Sequence, residues 1–156
     1  MSARISLRQA TPLDAPVIAE FNALLAEETE HLELDRPLLR AGVAAVLADP
    51  AKGIYWVAEA AATLVGQLLI TLEWSDWRNG YFWWIQSVYV RPDWRGRDVF
   101  RSLYEFVRKQ AEQRSDVCGL RLYVDADNVR AKQTYARLGL RPTSYQVYEL
   151  DFRLAR

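Results

Sequence analysis

One cysteine and one histidine stand in a chain of 156 residues, and their scarcity removes whole classes of chemistry. Cys118 alone closes no intramolecular disulfide and builds no cysteine-ligated metal centre. His31 alone excludes multi-histidine metal chemistry, unless a site is mostly carboxylate. Twenty basic and twenty acidic residues cancel, so a general nucleic-acid or membrane-surface binder is not expected. No apolar run reaches the about 18 residues of a membrane-spanning helix. The opening Met1-Ser2-Ala3-Arg4-Ile5-Ser6 lacks a signal-like apolar segment. Repeats, low-complexity tracts and linkers are also missing. These absences point to one soluble, cytoplasmic domain spanning 1–156 with no metal.

What is present is apolar and aromatic. The chain is 51% hydrophobic and carries six Trp and eight Tyr, so a packed core is the default and disorder is not. Many of these rings lie between Tyr55 and Tyr104. Trp74, Trp77, Trp83 and Trp84 have three readings: core, an aromatic acceptor pocket, or the interface of a homodimer.

Periodicity divides the chain into elements. Arg4 to Gln9 alternates as a short strand. Thr11-Pro12-Leu13-Asp14 reads as a capping box that starts a helix running to Glu27 or Glu28. Glu27, Glu28, Glu30, Glu33 and Asp35 follow as an acidic stretch, and Pro37 opens a second helix ended by Asp49-Pro50. Ile54 to Ala60 and Leu64 to Glu73 read as a hairpin, and Asn79-Gly80 as the turn into a third long strand, Tyr81 to Val90. That strand is apolar on both faces, as a strand covered on two sides must be. A helix with Val99, Leu103, Phe106, Val107 and Ala111 on one stripe comes next. Gly119 to Val124 is a strand, Val129 to Leu138 a helix closed by Gly139, and Tyr145 to Phe152 a terminal strand. The order β-α-α-β-β-β-α-β-α-β indicates an α+β, or mixed α/β, domain with one central sheet.

Two constellations carry chemistry. In the first, the strand ending at Val88-Tyr89-Val90 meets Pro92 and then an Arg-rich glycine turn, Arg95-Gly96-Arg97-Asp98, before Val99, Phe100 and Arg101 open a helix. Such a turn aims backbone N–H groups and the positive end of a helix dipole at one point, which suits a phosphate. Arg91, Arg95, Arg97 and Arg101 supply charge for a pyrophosphate. A basic surface turn is the alternative reading. In the second constellation, Ala131 and Tyr135 share a helix face just after Asn128. Asn128 is read either as a contact for an amide-bearing ligand or as a helix cap, and Tyr135 either as a proton donor to a leaving thiolate or as a half-buried core residue. No G-x-x-x-x-G-K-[ST] or G-x-G-x-x-G run is present to suggest an unrelated nucleotide binder.

Together the two constellations resemble the GNAT superfamily of N-acetyltransferases. Val90, Pro92, Arg95 and Gly96 meet the family's Val-x-Pro-x-x-Arg-Gly-x-Gly-x-Gly/Ala signature. Asn128, Ala131, Tyr135 and Gly139 meet its Asn-x-x-Ala-x-x-x-Tyr-x-x-x-Gly-Phe signature, with Leu140 replacing Phe. Asp98 and Phe100 depart from the first pattern, placing a negative charge and bulk where the family has small residues. The resemblance implies a central mixed, mostly antiparallel sheet of six to seven strands flanked by about four helices.

It also implies direct acetyl transfer from acetyl-CoA, as cosubstrate, to a primary amine of a small molecule or peptide within a ternary complex. Val88, Tyr89 and Val90 would bind the pantetheine, and the turn from Arg95 through Gly96, Arg97, Asp98, Val99, Phe100 and Arg101 the pyrophosphate. Asn128 would contact the pantetheine arm, and Tyr135 would protonate the departing thiolate. Candidate bases for the amine are Glu73, Asp76 and Glu28, with Glu73 favoured by its place near a strand end. A non-catalytic acyl-CoA sensor or scaffold of the same fold is the competing expectation.

Overall fold

In a computed structural model, residues 4–154 are described, and they divide into two compact units between Tyr123 and Val124. The first unit is built on a five-stranded sheet in the order β1-β2-β3-β4-β5. Its strands are β1 (Ser6–Gln9), β2 (Ile54–Ala60), β3 (Thr63–Ser75), β4 (Gly80–Val90) and β5 (Val117–Leu122). The first three pairings are antiparallel, and β4 pairs with β5 in parallel. The expected mixed, mostly antiparallel sheet is therefore present, with five strands among the described residues in place of six to seven.

Two helices cover one face and a third the other. Helix α1 (Ala15–Glu30) begins three residues after the Pro12 start that the sequence suggests and runs two residues past Glu28. The Thr11 N–H donates to Asp14 Oδ2 at 2.7 Å, and a 3-10 turn over Pro12–Asp14 leads into the helix. It ends with His31 in the left-handed region (φ 52). Helix α2 (Arg36–Ala48) is capped by Asp35, whose side chain accepts from the Leu38 N–H at 3.1 Å. One acid of the acidic stretch is thus a helix cap. Ile18, Phe21 and Val43 pack with Tyr55, Val57 and Tyr89.

Helix α3 (Val99–Glu112) takes the opposite face. Phe106 meets Trp56 edge-on at 5.5 Å, and Trp56 neighbours Tyr55, so their side chains point to opposite faces of β2. Val99, Leu103 and Val107 are fully buried, as their helical spacing requires. Gly66 on β3 makes the approach possible: a Cβ there would lie 2.8 Å from Val99 Cγ1. The first turn of α3 is thereby seated directly on the sheet.

The second unit contains α4 (Val129–Arg137). The Asn128 side chain accepts from the Ala131 N–H at 3.0 Å, and Gly139 (φ 91) follows the helix end, where its N–H donates to Ala136 O at 3.1 Å. The terminal strand expected over Tyr145 to Phe152 is not formed. These residues join no ladder, and Tyr148 and Phe152 are 93% and 89% exposed. Alternation describes which side chains would share a face, but a strand exists only when a neighbouring backbone takes its N–H and C=O groups.

Candidate functional site

The sheet opens at the end of β4. Strand β5 follows β4 only from Tyr81↔Val117 to Ile85↔Leu122, whereas β3 stays paired as far as Gly66↔Val90. The last residues of β4, Gln86 to Val90, therefore have a ladder on the β3 side and no strand of the first unit on the other. The Arg91 N–H donates to Val65 O at 2.9 Å, towards β3. Strand alternation then turns the backbone groups of Val90 outward. The Val90 carbonyl accordingly meets the Arg95 Nε, which donates to it at 2.9 Å.

A bulge precedes this edge. Gln67 pairs with Tyr89 and Leu69 with Gln86, so Ser87 and Val88 oppose Leu68 alone. Ser87 takes a left-handed φ of 50 to accommodate the extra residue. Its carbonyl accepts from Gln67 Nε2 at 3.1 Å.

Beyond Val90 a 3-10 turn (Pro92–Trp94) and the Arg95–Asp98 turn lead into α3. Gly96 has φ 75, a conformation that favours glycine, and a Cβ there would meet nothing within 4 Å. Asp98 also takes a left-handed conformation (φ 59), at the position where the family signature has glycine. Aspartate is among the few side chains that tolerate this region, which explains how the turn survives the replacement. The Asp98 side chain makes no cap hydrogen bond. The first intrahelical bond runs from the Ser102 N–H to Asp98 O at 2.9 Å, and the amides before it form the positive end of the helix.

The four arginines of this segment all have partners. Arg91 pairs with Asp93 at 2.9 Å and Arg101 with Glu105 at 2.9 Å. Arg97 lies over the Trp94 ring at 5.1 Å. Arg95 reaches Glu28 Oε2 at 2.7 Å and lies 5.5 Å from the centre of the Tyr89 ring. Burial and the neighbouring Glu28 push the Tyr89 phenol above its ordinary range, so it stays protonated. Phe100 is half-buried at the start of α3.

Of the candidate bases, Glu73 has both carboxylate oxygens engaged. Oε2 accepts from Trp84 Nε1 at 2.7 Å and Oε1 from Arg121 at 2.8 Å, and Arg121 itself lies 3.6 Å from the centre of the Phe82 ring. Asp76 is exposed and accepts from the Trp77 N–H at 3.1 Å. Glu28 is taken up by Arg95. The tryptophans divide: Trp83 is buried, Trp84 stacks on Tyr123 at 4.5 Å, and Trp74 and Trp77 are exposed.

In the second unit, Asn128 caps α4 through its Oδ1. Burial pushes the Tyr135 phenol above its ordinary value, so it remains protonated at neutral pH. The Gln67–Ser87 contact and the Arg95–Glu28 pair had no place in the sequence reading. Gln67 was the one available signal, a polar side chain inside the apolar run Leu64–Leu72.

A mixed sheet that opens beside a helix N-terminus suits an extended, phosphate-bearing ligand. The chain matches the acetyltransferase (GNAT) family over residues 18–140 and belongs to that family. It is similar to a possible acetyltransferase from Clostridium difficile 630, at 42% identity, 94% coverage of this chain, 97% of the other, and a TM-score of 0.89. A predicted acetyltransferase with acetyl-CoA from Clostridium acetobutylicum shares the fold at 18% identity (95% and 96% covered, TM-score 0.76). So does ribosomal-protein-alanine N-acetyltransferase from Brucella melitensis biovar Abortus 2308 (18% identity, 96% and 99% covered, TM-score 0.76). No protein with a curated functional description matches the chain in sequence. Among the described residues, no group of His, Cys, Asp and Glu could hold a metal ion, and no helix is long and apolar enough to cross a membrane.

Proposed function

We propose that the chain is an acetyl-CoA-dependent N-acetyltransferase acting on a primary amine of a small molecule or peptide, in the cytoplasm, with residues 1–156 working as one domain. One observation carries this reading: β4 outruns β5 by the five residues Gln86 to Val90 and ends against the N-terminus of α3. An extended, amide-bearing arm can add to such an edge as a strand would, with its phosphates at the helix end. The residues present suit acetyl-CoA. Val88 and Val90 would hold the pantetheine through main-chain bonds, with Tyr89 between them facing β3. The amides from Arg95 to Arg101, with the Arg95 and Arg97 side chains, would hold the pyrophosphate.

Acetyl-CoA supplies the acetyl thioester. The amine must lose a proton to attack it, and Glu73, oriented by Trp84 and Arg121, is the proposed acceptor, directly or through water. Asn128 would contact the pantetheine arm. Tyr135 would donate its phenolic proton to the departing thiolate. Direct transfer in a ternary complex requires no covalent enzyme intermediate.

A second reading, a non-catalytic acyl-CoA sensor or scaffold, is favoured by the negative charge that Asp98 brings to the anion turn. Thiol release from acetyl-CoA across a panel of amines, paired with CoA calorimetry, separates the two. Release on at least one amine supports the enzyme. Binding without release on any amine supports the sensor, and absence of binding removes both.

A further inference from the structure

Gln67 lies on β3 with no exposed surface, and its side chain forms part of a buried polar chain. Its Nε2 donates to Asn22 Oδ1 at 2.9 Å and to Ser87 O at 3.1 Å. Asn22 Nδ2 in turn donates to the Tyr55 hydroxyl at 3.0 Å. Tyr55 and Asn22 are themselves buried, so the chain ties α1, β2, β3 and the β4 bulge together inside the core. Both Gln67 contacts are to acceptors, which fixes the amide group with its nitrogen towards α1 and the bulge. An apolar residue would be the ordinary occupant of this site, between Gly66 and Leu68 in a buried strand. A polar side chain there carries a desolvation cost, and its contacts show what it holds.

What it holds is the direction of one peptide unit. The Ser87–Val88 peptide is trans, so the Ser87 carbonyl and the Val88 N–H point in opposite directions. Holding the carbonyl on the Gln67 side aims the Val88 N–H away from it. A bulge without such a tether has an extra residue that the ladder does not fix. Ser87, at φ 50, lies in a region that a serine adopts only when its surroundings hold it there.

We infer that Gln67 is a positioning residue: anchored by Asn22, it locks the β4 bulge through Ser87 O and so orients the Val88 amide at the open edge. This rests on the proposed acetyl-CoA site, because it gives that amide a ligand to meet. Gln67 itself touches no ligand in this scheme. The helix α1 partner Asn22 holds the Gln67 amide in place, so the orientation of the edge depends on a helix that lies across the sheet from α3.

The test is Gln67→Leu together with the double variant Asn22→Leu/Gln67→Leu. The double variant removes both amides, so it leaves the Tyr55 hydroxyl rather than the Asn22 carbonyl without its partner. Ile70→Val, another fully buried change on β3, controls for general loss of stability. The expected result for both Gln67 variants is a fall of roughly tenfold in kcat/KM for acetyl-CoA, with the amine KM unchanged and Ile70→Val within twofold of the native protein. A double variant that folds and keeps kcat/KM within twofold overturns the inference. Amide resonances of Ser87 and Val88 in the ligand-free protein give a second readout. They should shift in Gln67→Leu and stay in place in Ile70→Val, and unchanged resonances overturn the inference whether or not the native protein transfers acetyl. A native protein inactive on every amine would instead count against the proposed function, and the resonances would still decide the role of Gln67.

Discussion

Arg95 and Glu28 lie 67 residues apart in sequence, and their side chains meet at 2.7 Å. The same guanidinium donates from Nε to Val90 O at 2.9 Å, so one arginine joins the end of α1, the end of β4 and the anion turn. A residue assigned to pyrophosphate by its place in a signature thus has a carboxylate partner within the chain. The two sides of this pair are 47% and 39% exposed, which puts it among surface ion pairs worth about 0–1 kcal/mol. Phosphate can displace such a partner at little cost.

Glu28→Gln should therefore release Arg95 without unfolding the chain. Calorimetry at low salt is expected to show CoA binding about two- to fivefold tighter. The gain should shrink as salt rises, because screening weakens the competing pair. Weaker binding in the variant would mean that Glu28 holds Arg95 in its working position.

Asp98 sets a second, separable effect. Asparagine tolerates the left-handed conformation seen at φ 59 but carries no charge. Asp98→Asn is expected to bind CoA several-fold tighter, with a melting temperature within a few degrees of the native protein. Asp98→Gly should also bind more tightly, since it removes both the charge and the Cβ. Equal or weaker binding in both would show that the Asp98 carboxylate does not oppose the ligand.

Tyr135→Phe addresses the leaving group. Burial raises the Tyr135 phenol above its ordinary value, which keeps it a proton donor across the neutral range. Removing the hydroxyl should lower kcat by about tenfold or more and leave the Kd for CoA within twofold. Unchanged turnover would assign Tyr135 to packing alone.

The start of α1 gives a prediction about pH and stability. Arg8 donates to both oxygens of Asp14, at 2.8 and 3.0 Å, and holds its carboxyl below the ordinary value of 3.8. A depressed carboxyl contributes stability that is complete above its unfolded value and is lost as pH falls through the folded one. Asp14→Asn also weakens the capping box and should cost about 1–2 kcal/mol near neutral pH. Thermal melts of the two proteins should differ by a steady amount between about pH 5 and pH 8 and converge below about pH 4. A gap that persists at low pH would mean that the carboxylate charge is not what stabilises the turn.

Local chemistry, which sequence expresses directly, determined most of the elements. Thr11 and Asp14 box the entry to α1, Asn79-Gly80 turns β3 into β4, and the stripe from Val99 to Ala111 can only be a helix packed on one side. The two signature segments were legible for the same reason, because each is a short run whose spacing is fixed by one turn or one helix face. Long-range partners were not legible. Alternation from Tyr145 to Phe152 suggested a strand, but among the described residues it joins no ladder, and nothing within the segment could reveal that. Gln67 could be seen as polar in an apolar run, yet only the folded sheet sets it against Ser87 and Asn22. Glu28 read as one acid among five until α1 brought it to Arg95. Sequence carries propensity and period, while the tertiary structure decides which distant groups face each other, and at this site those pairings set the direction of the edge and the charge of the turn.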